Sequence, residues 1–564
     1  MLKNHEFNKT FNFFYPSRPI ENVLSNITSS KIYKFLHELP KGGNLHLHEL
    51  QVLNRHKFLE IVFNQDPEFN WLYICDKENN SDCIPDPSVC NCRPYFLKYF
   101  PKNPEKGWIR IKQSDWTIEK IVEKTTLINI LNKLENKVYP TDSNGRWKVV
   151  YDYGVLDFYA EIAKYNKTRF DYIKSVLDVS LNENVQLLEF RTFNFGELFY
   201  VDLNLNQIPI SADEELKMLR KLKNDYIKSN PKLIDFSFII SNMRHEGKKE
   251  IEKKLDKAIE FNSKFPDLVR GFDLEGEEDR GHSLNYLNEC LIKGFNYSLN
   301  SSFKFYFHSV ETNWPEDIIQ TLENIYDAII LKTSRIGHGL GLIKLPWLYK
   351  YLISSQTPIE VCPASNQILG YVSDLRTHPA VNYYRSGIPI VIAGDDPGAF
   401  GYNELTVDYY LAYMSWGLNL MDLREIANNS IRFSSMSNEN KIIGFQKFNL
   451  SWMNFIDKSY AKICRDKKEN FSSELIFKEV IPNYGLASRE QEINLYGSGF
   501  EMAICEDITC FFGEIKSSGE MVGIYHIKCM TPIIKIENSF KTVNFKILIG
   551  NITYQTQLNY TFLN

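Results

Sequence analysis

The 564-residue sequence has little excess charge of either sign and no run of five or six basic residues. Its 65 Lys and Arg residues against 70 Asp and Glu residues leave a formal net charge of −5. A nucleic-acid surface needs a basic stripe, and a helix that binds a membrane surface needs a basic amphipathic face. The composition therefore indicates neither a nucleic-acid partner nor a membrane-surface protein.

Long apolar runs are absent as well. No segment approaches the ~18–20 apolar residues that cross a bilayer, so the sequence predicts no membrane span. The stretch from Met1 to Pro19 is polar and aromatic and lacks the apolar core of a signal peptide. Secretion would therefore need a leader that this sequence does not show.

Cysteine is not scarce, but its distribution is uneven. Of ten cysteines, four lie in one short loop-like stretch, at Cys75, Cys83, Cys90 and Cys92. Their spacing, C-x7-C-x6-C-x-C, does not match the paired C-x2–4-C form of a zinc knuckle. The cluster instead favours disulfides formed in an oxidising compartment, and therefore an extracellular protein.

Eleven Asn-x-Ser/Thr sequons point in the same direction, among them Asn26, Asn166, Asn470 and Asn559. They predict a glycoprotein if the chain is secreted. An Asn-rich chain also forms such triplets by chance, so the sequons alone do not decide the compartment.

The chain has ample material for a core, since 43% of its residues are hydrophobic and 14% are aromatic. Its length predicts two or three domains. From residue 43 to about residue 462, short apolar runs alternate with longer amphipathic stretches. The apolar runs are Asn44–His48, Val185–Thr192, Ile234–Ile240, Leu268–Leu274, Phe303–His308, Arg335–Gly337, Pro358–Val361 and Pro389–Ala393. Eight such units predict parallel strands with helical crossovers that close into a (β/α)8 TIM barrel, an α/β fold.

Two further regions interrupt or follow the barrel pattern. Residues 57–116 hold the cysteine cluster and several prolines, and we interpret them as a cysteine-rich insertion. Short β-rich runs separated by glycines end the chain and predict a small β-sandwich. The predicted division is an N-terminal segment at 1–38, the barrel at 39–465 and the sandwich at 478–564.

The first candidate site is the pair His46 and His48, at the end of the first predicted strand. Alternation along a strand turns both imidazoles to the same face, here the barrel interior, so they can share one metal ion. An H-x-H pattern also arises by chance, and a buried core histidine is the commoner outcome.

Other candidate ligands follow the ends of later strands, namely His308 with Glu311, His338, and the pair Asp395-Asp396. The loops after the carboxyl ends of the strands build the active site of such a barrel. Three histidines and one carboxylate around zinc leave a position for water, whose pKa falls to roughly 7. The pattern predicts a hydrolytic metal site, although two aspartates before a proline also suit a helix N-cap.

Several segments together resemble the adenosine deaminase family. They are Leu39–Gly42 with His46–His48, Gly271–Gly276 with Gly281–Leu284, Arg335–Gly339, and the run from Ile359 to Gly401. Within that family, the insertion with Cys75 and Cys92 and the ending Ser434–Ile456 resemble the secreted adenosine deaminase-related growth factors. The resemblance covers roughly residues 35–465, and its five motifs stand in the family's order.

The resemblance implies one zinc ion per chain, held by His46, His48, His308 and Asp395. Glu311 would donate a proton to N1 of the purine, and His338 would orient and deprotonate the attacking water. Adenosine, and with it 2′-deoxyadenosine, would give the inosine product with release of ammonia. A protonated Glu311 needs a raised pKa, which a closed, partly apolar pocket can provide.

The resemblance also assigns substrate contacts. Asp396 would hydrogen-bond N7, and the backbone N–H of Gly276 would meet N3. Trp147 matches an aromatic residue that borders the pocket in this branch, although a Trp that only packs in the core is the commoner case. Glu49 stands where the family has an aspartate that touches the sugar 5′-hydroxyl. Its extra methylene is expected to change sugar selection by about 10–200-fold.

A second departure lies beside the predicted acid. The family pattern His-Ala-Gly-Glu reads here His308-Ser309-Val310-Glu311. Because glycine permits close approach of backbone or ligand, Val310 is expected to narrow the pocket or weaken the activity. The region before Leu39 is shorter than the dimerising region of the growth-factor branch, so the sequence leaves a homodimer open.

The C-terminal region has its own resemblance. Pro482–Gly485, Ile493–Phe500, Cys510–Gly513 and Ile527–Pro532 are similar to an IPT/TIG immunoglobulin-like domain over roughly residues 478–564. The resemblance favours a disulfide between Cys510 and Cys529 and leaves Cys505 odd. Such domains bind proteins or act as spacers. The sandwich and the insertion are therefore the expected sites for a cell-surface or other protein partner.

Two functions of different classes remain open from the sequence. One is a zinc-dependent deaminase of a purine nucleoside, either adenosine or a modified or 2′-deoxy form. The other is a weak or inactive deaminase scaffold with a role in extracellular signalling or adhesion. Gly337–Gly341 lacks the G-x-G-x-x-G spacing of a nucleotide loop, and the cytidine-deaminase signature is absent. Cys362 is interpreted as a buried thiol rather than a nucleophile.

Overall fold

The structure is a computed structural model that describes residues 14–66, 70–75, 95–134, 143–193, 195–313, 318–403, 405–470, 475–503, 505–523 and 525–564, with the backbone alone at 318–320, 463–470, 501 and 502. Two compact units divide the chain, Met1–Trp452 and Met453–Asn564. Within the described ranges, no helix combines the length and the apolar character that a membrane crossing requires. Cys83, Cys90 and Cys92 lie outside the described residues.

Eight parallel strands form the barrel of the first unit, numbered here β1 to β8. They are β1 Gly42–His48, β2 Val185–Thr192, β3 Asp235–Met243, β4 Val269–Glu275, β5 Lys304–Phe305 with its continuation His308–Ser309, β6 Ile336–His338, β7 Ile359–Val361 and β8 Ile390–Ile392. Each strand pairs with the next along the chain, and β8 returns to β1. There Asp395 donates its N–H to the carbonyl of His46 at 3.0 Å, and His48 donates to the carbonyl of Asp395 at 3.2 Å. The predicted barrel is confirmed.

Burial on both faces explains the composition of these strands. All eight residues of β2 are buried, as expected for a parallel strand between a filled barrel interior and a layer of helices. The helices of this unit are Ile20–Ser29, Lys31–Glu38, Arg55–Gln65, Ile118–Thr125, Leu127–Leu134, Ser143–Asp152, Asn166–Asn182, Ala212–Ser229, Lys248–Lys264, Asn288–Ser298, Ile318–Ile330, Tyr349–Ser355, Pro363–Ile368, Ala380–Arg385, Pro397–Phe400, Thr406–Ser415 and Leu420–Arg432. The helix Asn438–Asn470 follows them.

The predicted insertion contains a small sheet. Leu72–Cys75 pairs antiparallel with Leu97–Tyr99 on one side and Trp108–Arg110 on the other. Cys75 at the end of the central strand is disulfide-bonded. A separate hairpin, Phe199–Val201 with Gln207–Pro209, follows β2.

The second unit is a β-domain built around one apolar core that includes Phe500, Phe512 and Phe562. Its strands are Ile476–Ile481, Tyr484–Leu486, Glu492–Ser498, Ile508–Phe512, Ile515–Gly523, His526–Met530, Phe540–Ile549 and Ile552–Leu563. The predicted β-domain is confirmed, and its strands follow one continuous hydrogen-bonded order rather than two separate sheets.

The sequence made two predictions about cysteines in this unit, and the structure agrees with one of them. Cys510 and Cys529 lie on two strands that are separated by the strand Ile515–Gly523, and they form a disulfide, as the domain resemblance favoured. The expectation that Cys505 is odd is wrong, because Cys505 is also disulfide-bonded.

Candidate active site

A cavity of about 520 Å³ lies at the carboxyl ends of the barrel strands. Nine of the ten predicted site residues line it, namely His48, Glu49, Trp147, Gly276, His308, Glu311, His338, Asp395 and Asp396. The tenth, His46, is fully buried and contacts two of the lining residues, His308 and Asp395. Barrel closure therefore brings together residues that are up to 350 positions apart along the chain.

The four predicted metal ligands converge. His46, His48, His308 and Asp395 each offer one ligand atom, and these atoms all lie within 4.8 Å of one another. Nε2 of His46 lies 3.0 Å from Nε2 of His308, and Nε2 of His48 lies 3.0 Å from Oδ1 of Asp395. The set combines three imidazole nitrogens with one carboxylate oxygen.

Carboxylates on the far side of each ring orient these histidines. Glu360 lies 2.7 Å from Nδ1 of His46, and Asp273 lies 2.8 Å from Nδ1 of His308. Glu275 lies 2.9 Å from Nδ1 of His48. A carboxylate on the second ring nitrogen is the usual support of a metal-binding histidine.

These contacts provide a test of whether the residues suit a metal ion. Because Nδ1 of His46 and Nδ1 of His308 face carboxylates at hydrogen-bond distance, each ring offers its lone pair on Nε2. Two lone pairs that face each other at 3.0 Å repel unless a cation lies between them. The donor set is therefore one that a divalent metal ion fits.

The sequence reasoning did not assign Asp273, Glu275 or Glu360 to the site, although a signal was present. Asp273 and Glu275 are two residues apart on β4 and therefore share a face, and Glu360 interrupts the apolar strand β7. Buried charges of this kind need partners. Arg191 supplies one, with Nε 2.8 Å from Asp273 and Nη2 2.6 Å from Glu360.

Glu311 is the acid candidate and is buried. Burial raises the pKa of its carboxyl well above the ordinary value, and the carboxylates of Asp395 and Glu278 raise it further. This environment favours the protonated form that a proton donor requires. Oε1 of Glu311 lies 3.8 Å from Nε2 of His338.

A hydrogen-bond relay determines how His338 presents its ring. Ala380 donates its N–H to Nδ1 of His378, so His378 carries its hydrogen on Nε2 and donates to Oδ1 of Asn366 at 3.0 Å. The amide of Asn366 in turn donates to Nδ1 of His338 at 3.1 Å. Burial lowers the pKa of His338 well below its ordinary value, so the ring is neutral and has its hydrogen on Nε2. An N–H therefore points toward Asp395, whose Oδ2 lies 3.7 Å away.

Three residues at the strand ends adopt positive φ angles that side chains rarely favour. These are Val310 at 54°, His338 at 59° and Asp395 at 63°. Such strain occurs at functional sites, where surrounding contacts hold it in place. The expectation that Val310 narrows the pocket is wrong, because Val310 does not line the cavity. Its Cβ instead lies beside Gly341, which has no side chain to collide with it.

The purine-binding candidates Gly276 and Asp396 also line the cavity. Gly276 has a φ of +89°, and a Cβ there would come within 2.8 Å of Met243 Cε, so glycine suits this position. Asp396 is buried, and its Oδ1 has no hydrogen-bond partner among the described residues. Burial raises the pKa of Asp396 well above its ordinary value. An unpaired buried oxygen of this kind suits a ligand contact.

Glu49 and Trp147 also lie in the cavity wall. Oε2 of Glu49 accepts a hydrogen bond from Arg169 at 2.9 Å, and its Oε1 has no partner among the described residues. Trp147 donates from Nε1 to the hydroxyl of Tyr371 at 2.8 Å and stacks on Tyr151. Trp147 is thus both a packed residue and part of the wall.

Comparison with known proteins finds two family models that match parts of the chain. Residues 229–443 match the family model described as Adenosine deaminase, and residues 475–563 match that of the IPT/TIG domain. The chain is 28% identical over 466 residues to "Adenosine deaminase" of Aedes albopictus. This alignment covers 82% of this chain and 81% of that relative. It is 28% identical over 472 residues to "Adenosine deaminase 2" of Sus scrofa, and this alignment covers 82% of this chain and 86% of that relative.

A solved structure shares the fold. The crystal structure of Arabidopsis ADAL complexed with IMP aligns with a TM-score of 0.50 at 18% identity, covering 75% of this chain and 99% of that one. The motifs, the barrel and the matched family models agree. The chain is therefore an enzyme with an adenosine deaminase domain and a C-terminal IPT/TIG domain.

Proposed function

We propose that this enzyme catalyses the hydrolytic deamination of adenosine and 2′-deoxyadenosine, which releases ammonia and forms inosine or 2′-deoxyinosine. The observation that carries the proposal is the convergence of a metal donor set and a buried acid on one cavity. The metal would be one zinc ion per chain, held by His46, His48, His308 and Asp395. When bound, zinc lowers the pKa of a water molecule at its open position.

The side chains around that position would direct the reaction. Protonated Glu311 donates its proton to N1, which makes C6 electrophilic. The N–H of His338 binds the oxygen of the attacking water and holds it beside C6. A C–O bond then forms at C6 and the C–N bond breaks. Of the two protons that the attacking water loses, one goes to the leaving amino group, which departs as ammonia, and the other restores the Glu311 carboxyl, while N1 keeps the proton it received.

The relay through Asn366 supports the orienting half of the role predicted for His338. Taking a proton from water on Nε2 would require the Asn366 amide to turn over, because Nε2 already carries the hydrogen. Asp396 must donate to N7, which is an acceptor, and its raised pKa favours the protonated form that can do so. The N–H of Gly276 would bind N3, and Glu49 the 5′-hydroxyl.

An extracellular location is part of the proposal. The disulfide between Cys510 and Cys529, together with disulfide-bonded Cys75 and Cys505, supports an oxidising compartment. A protein partner for the IPT/TIG domain and a homodimer remain predictions. The alternative of an inactive scaffold rested on the insertion, the second domain and Val310. Only the argument from Val310 is weakened, since Val310 is not among the residues that line the cavity.

The deciding experiment is ammonia release from adenosine by the purified full chain, with metal content measured in parallel. We expect a zinc chelator to abolish release and added zinc to restore it. Glu311→Gln should lower kcat by about 100- to 10,000-fold with its zinc retained. Exposed Glu323→Gln, which removes a carboxylate outside the cavity, is the control and should keep full activity. Full activity of Glu311→Gln, or no release by zinc-loaded wild type, would refute the proposal.

A further inference from the structure

Val310 occupies an unfavourable backbone conformation directly before the candidate acid. Its φ is 54°, a value that β-branched residues rarely adopt, and its side chain is fully buried. Without stabilising contacts, the backbone at Val310 would adopt a negative φ, and the position of Glu311 would change as a result. Something in the surroundings must therefore hold the Val310–Glu311 segment in place.

Glu278 provides the contact. Its Oε1 accepts the N–H of Val310 at 2.9 Å, and its Oε2 accepts the N–H of Glu311 at 2.7 Å. Two consecutive N–H groups that point the same way form a concave site for an anionic group, and a carboxylate fills it with both oxygens. Glu278 is 2% exposed, so little water competes for these hydrogen bonds.

The carboxylate of Glu278 is itself held in place by hydrogen bonds. Asn324 donates to Oε1 of Glu278 at 2.7 Å, and Oδ1 of Asn324 accepts the N–H of Leu284 at 2.8 Å. On the other side of the peptide, the carbonyl of Val310 accepts the N–H of Gly341 at 2.8 Å. The Val310–Glu311 segment is thus held by hydrogen bonds to both of its N–H groups and to the carbonyl of Val310.

We propose that Glu278 is a positioning residue that clamps the strained Val310–Glu311 backbone and so directs the Glu311 carboxyl into the cavity. Glu278 does not line the cavity, so it acts through Glu311 and not on the substrate. The catalytic consequence rests on the proposed role of Glu311. A glutamine cannot replace Glu278, because its amide NH2 would face a backbone N–H instead of accepting from it.

The test combines Glu278→Gln with Val310→Gly, singly and together. Glycine reaches a positive φ without cost, so it should make the clamp less necessary. We expect Glu278→Gln to lower kcat for adenosine by about 10- to 100-fold. KM should change by no more than about twofold, since ground-state binding is unaffected. In the Val310→Gly background, the same change should lower kcat by less than about threefold.

Glu277→Gln is the matched control. This neighbouring carboxylate is also buried but makes no hydrogen bond to the Val310–Glu311 segment among the described contacts. Its kcat should stay within about twofold of wild type, as expected for a change that spares the reacting geometry. Unchanged kcat in Glu278→Gln, or an equal loss in the wild-type and Val310→Gly backgrounds, would overturn the inference.

Amide hydrogen exchange gives a readout that does not depend on turnover. Peptides that contain residues 310 and 311 should exchange faster in Glu278→Gln than in wild type or Glu277→Gln, because two amides lose their acceptor. Unchanged exchange would refute the clamp even if activity fell. If zinc-loaded wild type releases no ammonia, the proposed function fails, while faster exchange would still establish the clamp.

Discussion

The carboxylate of Asp273 contacts His308 twice. Oδ2 lies 2.8 Å from the ring Nδ1, and Oδ1 accepts the backbone N–H of the same residue at 2.9 Å. The ring and the main chain of His308 are thus oriented by one buried side chain on the neighbouring strand. Because Nδ1 donates to Asp273, Nε2 is left as the atom that is free to bind a metal ion.

This relationship predicts an effect on metal affinity. Asp273→Asn should weaken zinc binding by about 10- to 100-fold, because the amide no longer secures the tautomer of His308. Competition with a chromogenic chelator would measure the affinity directly.

A matched control separates orientation from loss of a buried charge. Asp235→Asn also removes a buried carboxylate that pairs with basic side chains, Lys223 and Arg270. It should lower the thermal midpoint without changing zinc affinity. Equal zinc affinity in both variants and wild type would contradict the role given to Asp273.

A second prediction concerns the unpaired oxygen of Asp396. Asp396→Ala should lower kcat/KM for adenosine by about 100-fold or more, because N7 loses its donor. The same variant should act on 7-deazaadenosine, which has no N7 acceptor, at the wild-type rate for that analogue. Zinc content must be unchanged, since Asp395 is adjacent. A comparable loss on both substrates would show that Asp396 acts in some other way than through N7.

A third prediction concerns the sugar end of the cavity. Glu49 has one oxygen on Arg169 and one without a partner among the described residues, so we expect the latter to bind a substrate hydroxyl. Wild type should prefer adenosine over 5′-deoxyadenosine, and Glu49→Gln should reduce that preference by about tenfold. The two substrates differ only at the 5′ position, so each serves as the control for the other. An unchanged ratio of kcat/KM values would assign the 5′-hydroxyl to another residue.

Several contacts of the site could not be predicted from local pattern. Glu278 and Val310 are 32 positions apart, and Asn366 meets His338 across 28 positions. Neither pair leaves a periodic signal, because each contact depends on how loops from different strands meet. The expectation that Val310 narrows the pocket was wrong for the same reason. Its residue type was known, but the side of the loop on which its side chain lies was not.

The sequence by itself determined the order of the barrel strands, the strand ends that carry histidines and carboxylates, and the second domain. Those features follow from periodicity along the chain, and alternation on β1 alone suffices to turn His46 and His48 to one side. Tertiary structure decided which carboxylate orients each histidine, where Val310 lies, and how Glu278 holds the backbone before Glu311. These depend on distances between residues far apart in the chain, which are established only when the barrel closes and its strand ends meet around one cavity.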